Sequence, residues 1–312
     1  MLIDKRFTCK TMILRQLRSK LKLVWDNISQ ERAQGRTSTM SKYSLIALDM
    51  DGTLLNSELK LSEGNRSAVE RAFAAGKQVI LSTGRCLSEI RDTLKLLPQI
   101  RYLVCENGSC VYDCRYDQTI HVDPVPMEEV QFILKLVKGE RCAIQVFHEN
   151  QSYFNQADDS WTDACRVGNY RGVFNRNSIW DAKLFDNYGK RPYRIEKINL
   201  YFDNVRTRDR IYAILEQRPL KLAVSIGYML EVVSEKADKG VGLKKLCDHL
   251  GLDISETIAM GDSANDLEIL RAAGFSAAMG NACPEAKAAA SIVTEDCDHD
   301  GVAKIIDEYL LR

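Results

Sequence analysis

Long apolar segments are missing from this sequence. No stretch of 18 or more apolar residues occurs among its 312 residues, so no helix is expected to cross a membrane. Proline is scarce as well, with 6 residues, whereas 45% of the residues are hydrophobic and 28% are charged. This composition is typical of a globular protein and supplies enough apolar material for a sizeable core. The length suggests about two domains.

No two of the ten cysteines show the C-x-x-C spacing. Zinc-ribbon and thioredoxin-like sites are therefore not predicted. Cys105, Cys110 and Cys114 come nearest to a metal-binding set, but no second pair accompanies them, which argues against a metal there. The scattered cysteines and the lack of a secretory signal pattern favour a reducing, cytoplasmic compartment in which most thiols are buried.

An overall excess of either charge is also missing, since 43 basic residues balance 43 acidic ones. The charges are unevenly placed, however. Residues 1–42 hold ten Lys and Arg against three Asp and Glu, which leaves the remaining 270 residues with 33 basic and 40 acidic side chains. An acidic main body argues against nucleic acid as the principal partner.

The basic N-terminal extension, residues 1–42, is expected to be disordered or partly helical. Its apolar residues recur every three or four positions, as in an amphipathic helix. Three interpretations stay open: a targeting peptide, a segment that docks on anionic lipid or a partner, or a dispensable segment with Met40 as the natural start. The third is favoured, because Gln34–Ser41 reads as a polar linker and the acidic residues fit a targeting peptide poorly.

Strands and helices alternate on either side of a middle segment. Residues 44–49 and 79–81 read as short buried strands, and the apolar spacing over 64–75 predicts a helix between them. The C-terminal part repeats this order, with strands at 257–260 and 275–279 and helices at 242–250 and 266–273. This alternation predicts an α/β fold whose core is a Rossmann-like, doubly wound parallel sheet with helices on both faces.

The middle segment, residues 124–229, follows another pattern. A helix is predicted at Met127–Val137, followed by extended runs at 143–147, 197–202 and 223–233, with irregular polar stretches over 150–194. This pattern predicts an inserted α+β domain. Residues 43–123 and 230–312 would together form the core.

Two carboxylates, Asp49 and Asp51, follow the first predicted strand directly. At the carboxyl end of a strand in an open α/β sheet, they would project into the crevice where ligands bind. One such Asp can act as a covalent nucleophile while the other serves as general acid and base. A calcium loop is excluded, because Gly52 falls at its fourth place instead of its sixth.

Candidate phosphate ligands follow in two further segments. Thr83, after the second strand, can donate a hydrogen bond to a phosphate oxygen, and Gly84 lets backbone N–H groups approach closely. Lys239, at the start of a helix, offers a point charge that could hold phosphate and offset a negative nucleophile. Taken singly, Thr83 could be a helix cap and Lys239 a solvated surface residue.

A fourth polar segment follows the strand at 257–260. Asp262 is suited to bind Mg²⁺, a hard cation that prefers oxygen ligands. Asn265 could bond phosphate, and Asp266 could brace Lys239 or the groups around the metal. An acidic helix N-terminus stabilised by the helix dipole would account for one Asp, but not for the whole set.

These segments, in this order, resemble the haloacid dehalogenase-like phosphohydrolase superfamily, and within it the Cof-type branch with a type IIB cap. The resemblance covers residues 43–312 and lies in DMDGTLLN, STGR, ENG (Glu106–Gly108), DKGVGL and GDSANDLEIL. It implies that the insertion is a cap domain. It also implies a magnesium-dependent phosphatase that hydrolyses a small phosphate ester through an aspartyl-phosphate.

The resemblance assigns a role to each matching residue. Asp49 resembles the nucleophile, and Asp51 resembles the acid and base. The resemblance places Mg²⁺ on the Asp49 carboxylate, the Asp51 backbone carbonyl and Asp262. Asp266 would support these ligands without binding the ion itself. The phosphate would be bound by Thr83, Gly84, Lys239 and Asn265.

Two other functions stay open at this point. A phosphomutase or phosphotransferase would share the aspartyl-phosphate but pass it to a sugar hydroxyl. A non-catalytic ligand-binding member of the fold is disfavoured by the complete set of acidic residues and Lys239. The sequence does not name the substrate: sugar phosphates and phosphorylated vitamins both suit the family. Six aromatic residues of the insertion could stack on a ring, although such residues are more often core: Tyr153, Phe154, Trp161, Tyr170, Trp180 and Tyr188.

Overall fold

A computed structural model describes residues 41–165, 167, 170–190, 193–225 and 228–312. Residues 1–40 lie outside this part of the chain, so the expectations for the basic extension stay predictions. No helix among the described residues is long and apolar enough to cross a membrane. The strands fall into two sheets, of eight and six strands.

The chain first forms five strands and two helices. They are β1 (Leu45–Leu48), α1 (Glu63–Ala74), β2 (Gln78–Ser82), α2 (Leu87–Leu96), β3 (Tyr102–Cys105), β4 (Cys110–Asp113) and β5 (Gln118–Val122). All four residues of β1 are buried. Helix α1 begins where the Ser62 side chain accepts from the backbone N–H of Asn65, and its buried face includes Ala68 and Val69.

The insertion comes next and forms the second sheet. Its elements are α3 (Met127–Val137), β6 (Cys142–His148), β7 (Gln151–Asn155), α4 (Tyr170–Asn177), β8 (Ser178–Asp181), α5 (Leu184–Lys190), β9 (Ile195–Phe202), α6 (Val205–Leu215), β10 (Leu220–Val224) and β11 (Met229–Ser234). The strand order is β10-β11-β9-β6-β7-β8. Neighbouring strands are antiparallel except for β7 and β8.

The rest of the chain returns to the first sheet. It forms α7 (Lys239–Leu250), β12 (Thr257–Gly261), α8 (Leu267–Ala272), β13 (Phe275–Ala278), α9 (Pro284–Ala289), β14 (Ile292–Val293) and α10 (Gly301–Ile305). The first sheet has the order β14-β13-β12-β1-β2-β3-β4-β5. It is parallel from β14 to β3 and antiparallel at β4 and β5.

The predicted fold class is confirmed. Strands from both sides of the insertion share the first sheet, and β1 pairs with β2 on one side and with β12 on the other. Each sheet has its own apolar core: Leu45, Ile46 and Ile258 belong to the first, whereas Ile144 and Leu200 belong to the second. The buried apolar side chains thus form separate clusters, one in the α/β core and one in the α+β insertion.

Three local features differ from the sequence-based expectations. The extended run expected at 223–233 is a hairpin, in which β10 pairs with β11. The described residues within 150–194 are mostly regular, because they include β7, β8, α4 and α5. Strand β11 pairs with β9, so the chain leaves the second sheet after Ser234 instead of at residue 230. Both faces of the strand at 229–234 are buried. Its apolar pattern in the sequence therefore does not show which of the two sheets it joins.

The short loop between β3 and β4 has an unusual backbone. Glu106, Asn107 and Gly108 have φ values of +56°, +55° and +91°, in the left-handed region. A Cβ atom on Gly108 would lie 1.9 Å from the carbonyl oxygen of Asp238, the residue that caps α7. Only glycine therefore allows this loop and the start of α7 to lie so close together.

Replacing this glycine tests the close approach. Gly108→Ala is expected to lower the free energy of unfolding by about 3 kcal/mol, because backbone strain and overlap add together. Gly76→Ala is the matched control: its φ is +77°, and no described atom lies within 4 Å of its added Cβ. It should cost only about 1 kcal/mol. Urea denaturation followed by circular dichroism measures both, and equal losses would contradict the packing argument.

Candidate active site

The predicted site residues meet at one edge of the first sheet. Asp49 follows β1, Thr83 follows β2, and Asp262 follows β12. These three strands are parallel neighbours, so their carboxyl ends lie side by side. The topology therefore brings together side chains that are more than two hundred residues apart along the chain.

Lys239 is fully buried between two of the predicted carboxylates. Its Nζ lies 2.6 Å from Asp49 Oδ1 and 2.6 Å from Asp266 Oδ1. Burial opposes the ammonium charge, but Asp266 and Asp49 outweigh it and raise the pKa of Lys239 above its usual value. A buried ammonium stays charged at neutral pH only with such partners, so the three side chains form one electrostatic unit.

Asp266 is held on both of its oxygens. Oδ1 accepts from Lys239, and Oδ2 accepts from the backbone N–H groups of Asp262 and Ser263, each at 3.0 Å. This capping arrangement begins the 3₁₀ turn Ala264–Asp266. Asp266 thus fixes the loop after β12, and its side chain has little freedom to bind anything else.

Asp49 and Asp262 are the carboxylates left to bind a divalent cation. One oxygen of each lies within 4.8 Å of the other and of an oxygen of Asp266. Burial and the charge of Asp266 raise the pKa of Asp262 to about 7, and burial raises that of Asp49 well above its usual range despite Lys239. Their ionised forms are therefore disfavoured as long as no further positive charge lies beside them. The residues present fit Mg²⁺, which prefers carboxylate and carbonyl oxygens.

Two neighbours hold Asp262 in this position. Thr53 Oγ1 donates to Asp262 Oδ1 at 3.1 Å. A Cβ atom on Gly52 would lie 2.6 Å from Asp262 Oδ2, and the φ of Gly52 is +79°. The glycine of the first motif is thus required both by its backbone conformation and by the closeness of Asp262.

Asp51 forms a salt bridge with Arg85, a residue to which the sequence pattern gave no role. Arg85 Nε lies 2.8 Å from Asp51 Oδ2, and Arg85 Nη2 lies 2.5 Å from Asp51 Oδ1, a bidentate pair. Burial works against this charge, but Asp51 outweighs it and raises the pKa of Arg85. The signal was available, because Arg85 closes the STGR motif beside two predicted phosphate ligands.

The second sheet reaches into the site through a buried lysine. Lys197 of β9 donates to the carbonyl oxygen of Gly84 at 2.9 Å and pairs with Glu231 of β11 at 2.9 Å. Glu231 also accepts from Asn107, whose Oδ1 accepts from Asn265 at 3.0 Å. The sequence analysis missed Lys197 and Glu231. The available signal was a charged residue within each of two otherwise buried strands.

A cavity of about 530 Å³ lies between the two sheets, at the carboxyl edge of the first. Among the predicted site residues, all of which the structure describes, Lys239 and Asp266 do not line it, since both are fully buried beside Asp49. The insertion lines it with apolar residues, such as Val173, Phe174 and Met229, and with polar ones, such as Gln145 and Asn199. The other predicted residues line it: Asp49, Asp51, Thr83, Gly84, Asp262 and Asn265.

The aromatic residues of the insertion divide between core and cavity. Phe154 and Tyr188 are buried, and Trp180 stacks on Phe154 with ring centroids 4.8 Å apart. Tyr153 packs on the core of the second sheet. Tyr170 lines the cavity, where the Arg85 guanidinium lies 5.4 Å from its ring centroid. The side chain of Trp161 lies outside the described part of the chain.

Comparison with known proteins identifies the relatives of this chain. Residues 46–306 match the family described as haloacid dehalogenase-like hydrolase. Phosphatase YwpJ of Bacillus subtilis strain 168 is 30% identical over 290 residues, which cover 85% of this chain and 99% of that protein. The 5-amino-6-(5-phospho-D-ribitylamino)uracil phosphatase YcsE of the same strain is 28% identical and covers 86% of this chain and 96% of its own length.

A solved structure shows the same architecture. A haloacid dehalogenase-like hydrolase from B. subtilis superposes with a TM-score of 0.74 at 28% identity, and the match covers 85% of this chain and 99% of that one. Sequence and fold thus agree over nearly the whole described region. The chain belongs to the haloacid dehalogenase-like hydrolase family and is a phosphatase of the Cof type.

Proposed function

We propose that the protein hydrolyses a small phosphomonoester in a magnesium-dependent reaction in which Asp49 takes the phosphoryl group. The observation that carries this proposal is the placement of Asp49. Its carboxylate lines a cavity large enough for a metabolite, and Lys239 and Asp262 lie beside it. A carboxylate so placed can attack phosphorus, and the covalent step divides one difficult reaction into two easier ones.

The surroundings of Asp49 fix its orientation. Lys239 binds Oδ1 at 2.6 Å, and Asp266 holds Lys239 in turn. Asp49, Asp262 and the backbone carbonyl of Asp51 would hold Mg²⁺. When bound, the ion supplies positive charge that lets an anionic carboxylate approach an anionic phosphate. Lys239 adds a second positive charge from behind Asp49.

Thr83, Gly84 and Asn265 are placed to bind the phosphoryl oxygens. The Thr83 hydroxyl accepts from the backbone N–H of Arg85 at 3.2 Å, which leaves its own proton for a phosphate oxygen. Lys197 donates a hydrogen bond to the Gly84 carbonyl oxygen, and the Asn265 amide donates one to Asn107 Oδ1. Phosphoryl transfer depends mainly on positioning and charge stabilisation, and these groups can provide both.

Asp51 is proposed to protonate the leaving oxygen and then to take a proton from the attacking water. In the structure its carboxylate is bound by the Arg85 fork. The pair must open before Asp51 can transfer a proton. An arriving phosphate offers the guanidinium another anion of matching geometry, so substrate binding itself favours this opening.

The cavity and the relatives support a proposal for the substrate class. A volume of about 530 Å³ suits a small metabolite and not a macromolecule. YcsE is named for a phosphorylated ribitylaminouracil, and the HMP-PP phosphatase of Yersinia pseudotuberculosis is a further relative at 28% identity. We infer a sugar phosphate or a phosphorylated vitamin or cofactor intermediate.

Replacing the two carboxylates of the first motif tests the mechanism. Asp49→Asn should abolish phosphate release, because an amide cannot attack phosphorus. It should keep the fold, because Asn has nearly the size of Asp and Lys239 keeps its pair with Asp266. Asp51→Asn should lower kcat by roughly 10²-fold or more, the usual scale for loss of general acid–base catalysis. Phosphate release without added acceptor is the measurement, and it also separates hydrolysis from transfer to a sugar.

A matched substitution controls for the lost charge. Asp209→Asn alters an exposed Asp of α6 that pairs with Arg208 outside the site, so its rate should be that of the unchanged protein. Near-normal turnover by Asp49→Asn would exclude the aspartyl-phosphate.

Removal of metal is the second test. EDTA should abolish phosphate release, and Mg²⁺ should restore it, because the donor set consists of oxygens. Ca²⁺ should inhibit, since its larger and looser coordination misplaces the nucleophile. Asp262→Asn should raise the Mg²⁺ dissociation constant at least tenfold in isothermal titration calorimetry, a readout independent of turnover. Full activity after exhaustive chelation would contradict the metal assignment.

A further inference from the structure

Two charged residues of the second sheet pair inside the molecule, next to the predicted phosphate ligands. Lys197 of β9 and Glu231 of β11 are 1% and 5% exposed, and both line the cavity. Lys197 Nζ lies 2.9 Å from Glu231 Oε2. A buried ion pair adds little stability over apolar side chains of similar volume, so stability alone does not account for it. Each partner also bonds to the first sheet, and both bonds lead to groups that are predicted to bind phosphate.

The first bond holds the peptide group between Gly84 and Arg85. Lys197 Nζ donates to the carbonyl oxygen of Gly84 at 2.9 Å. The N–H of the same peptide group, on Arg85, donates to Thr83 Oγ1 at 3.2 Å. A trans peptide group is planar and its C=O and N–H point in opposite directions, so fixing one end fixes the other. Because the Thr83 hydroxyl accepts this bond, its own proton is left for a phosphate oxygen.

The second bond fixes the direction of two amide groups. Asn107 Nδ2 donates to Glu231 Oε2, and Asn107 Oδ1 accepts from Asn265 Nδ2 at 3.0 Å. Burial would raise the pKa of Glu231, but the Lys197 charge and three hydrogen bonds outweigh it and hold the pKa below its usual value. A carboxylate can only accept, so the nitrogen of Asn107 must face Glu231 and its oxygen must face Asn265.

This direction makes Asn265 a donor toward the cavity that it lines. Its Oδ1 accepts from Ser263 Oγ at 2.7 Å, and one of its two N–H groups is used by Asn107. Within the described part of the chain, Asn265 Nδ2 has no second acceptor, so the other N–H is available to a phosphate oxygen. If Asn107 turned over, Asn265 would have to turn as well and would present its carbonyl oxygen, which repels phosphate.

We propose that the Lys197–Glu231 pair positions the phosphate ligands of the first sheet. Lys197 acts through the Gly84 peptide group, and Glu231 acts on Asn265 through Asn107. This inference rests on the proposed phosphatase reaction. The two paths meet at Gly84, where an added Cβ atom would lie 2.9 Å from Asn107 Oδ1 and 3.1 Å from Lys197 Nζ. The phosphate site is thus complete only while the second sheet lies against the first.

Removing the pair should weaken phosphate binding. In the double variant Lys197→Met/Glu231→Leu, apolar side chains of similar volume replace the pair, a change that buried pairs tolerate. The dissociation constant of inorganic phosphate, measured by isothermal titration calorimetry with saturating Mg²⁺, should rise about 10- to 100-fold, because donors to an anion lose their orientation. The Mg²⁺ dissociation constant without phosphate should not change. The pair carries no net charge, and no described hydrogen bond joins it to Asp49 or Asp262.

Two single substitutions separate hydrogen-bond direction from charge. Glu231→Gln removes the charge, but Lys197 can only donate, so the new amide oxygen stays where Oε2 was and still accepts from Asn107. Phosphate binding should change less than about threefold. Glu231→Asp keeps the charge but withdraws the carboxylate from Asn107 by one methylene, and it should weaken binding about tenfold. Equal losses or the reverse order would overturn the role of Glu231. This comparison carries the test if the double variant does not fold.

A double-mutant cycle and a control pair distinguish positioning from a general disturbance. Asn265→Ala should weaken phosphate binding about tenfold in the unchanged protein but less than about threefold in the double variant, where its N–H is already misplaced. Glu129→Leu with Arg218→Met removes another ion pair of the insertion, one that does not line the cavity. It should leave the phosphate dissociation constant unchanged.

The outcomes separate this inference from the reaction on which it rests. If the unchanged protein neither binds inorganic phosphate nor releases it from p-nitrophenyl phosphate, the proposed function itself fails. Three results would overturn only the role of the pair: a double variant that binds phosphate as tightly as the unchanged protein, losses that multiply in the cycle, or an equal weakening of Mg²⁺ binding.

Discussion

A single buried ammonium group organises the site. Lys239 joins the end of β1, through Asp49, to the loop after β12, through Asp266, and it does so without contact with solvent. Replacing Lys239 by a neutral residue would leave two buried carboxylates without a cation between them, which is far more costly than losing a surface pair. The close packing of Gly108 on Asp238 places the first turn of α7, and therefore Lys239, where this pairing is possible.

The two sheets complete the site together. The first supplies the carboxylates and the predicted phosphate ligands. The second supplies Lys197, which reaches across to the Gly84 carbonyl, and the polar wall that contains Asn199. The predicted reacting groups and the polar part of the cavity lining thus lie on different sheets. Substitutions in β6 or β9 would therefore alter the cavity lining while the predicted reacting groups at the end of β1 stay in place.

Much of the fold and the predicted site followed from the sequence, because short apolar runs that end in polar residues mark the carboxyl ends of buried parallel strands. Asp49, Thr83 and Asp262 each end such a run, and the structure brings them together. The Arg85–Asp51 pair did not follow, since a contact across 34 residues depends on rotamers that no pattern encodes. The hairpin at 220–234 was missed because an apolar run carries no sign of where it reverses direction.

The insertion also determines when β1 can pair with β12 during synthesis of the chain. Asp49 and Lys239 are separated by 190 residues, and β12, the neighbour of β1, follows the whole second sheet along the chain. In the nascent chain, the edge of β1 that faces β12 therefore stays unpaired until residue 261 has been translated. Contacts of such long range slow folding and expose strand edges to aggregation. Early closure of the second sheet around its own core would shorten the effective loop that joins β1 to β12.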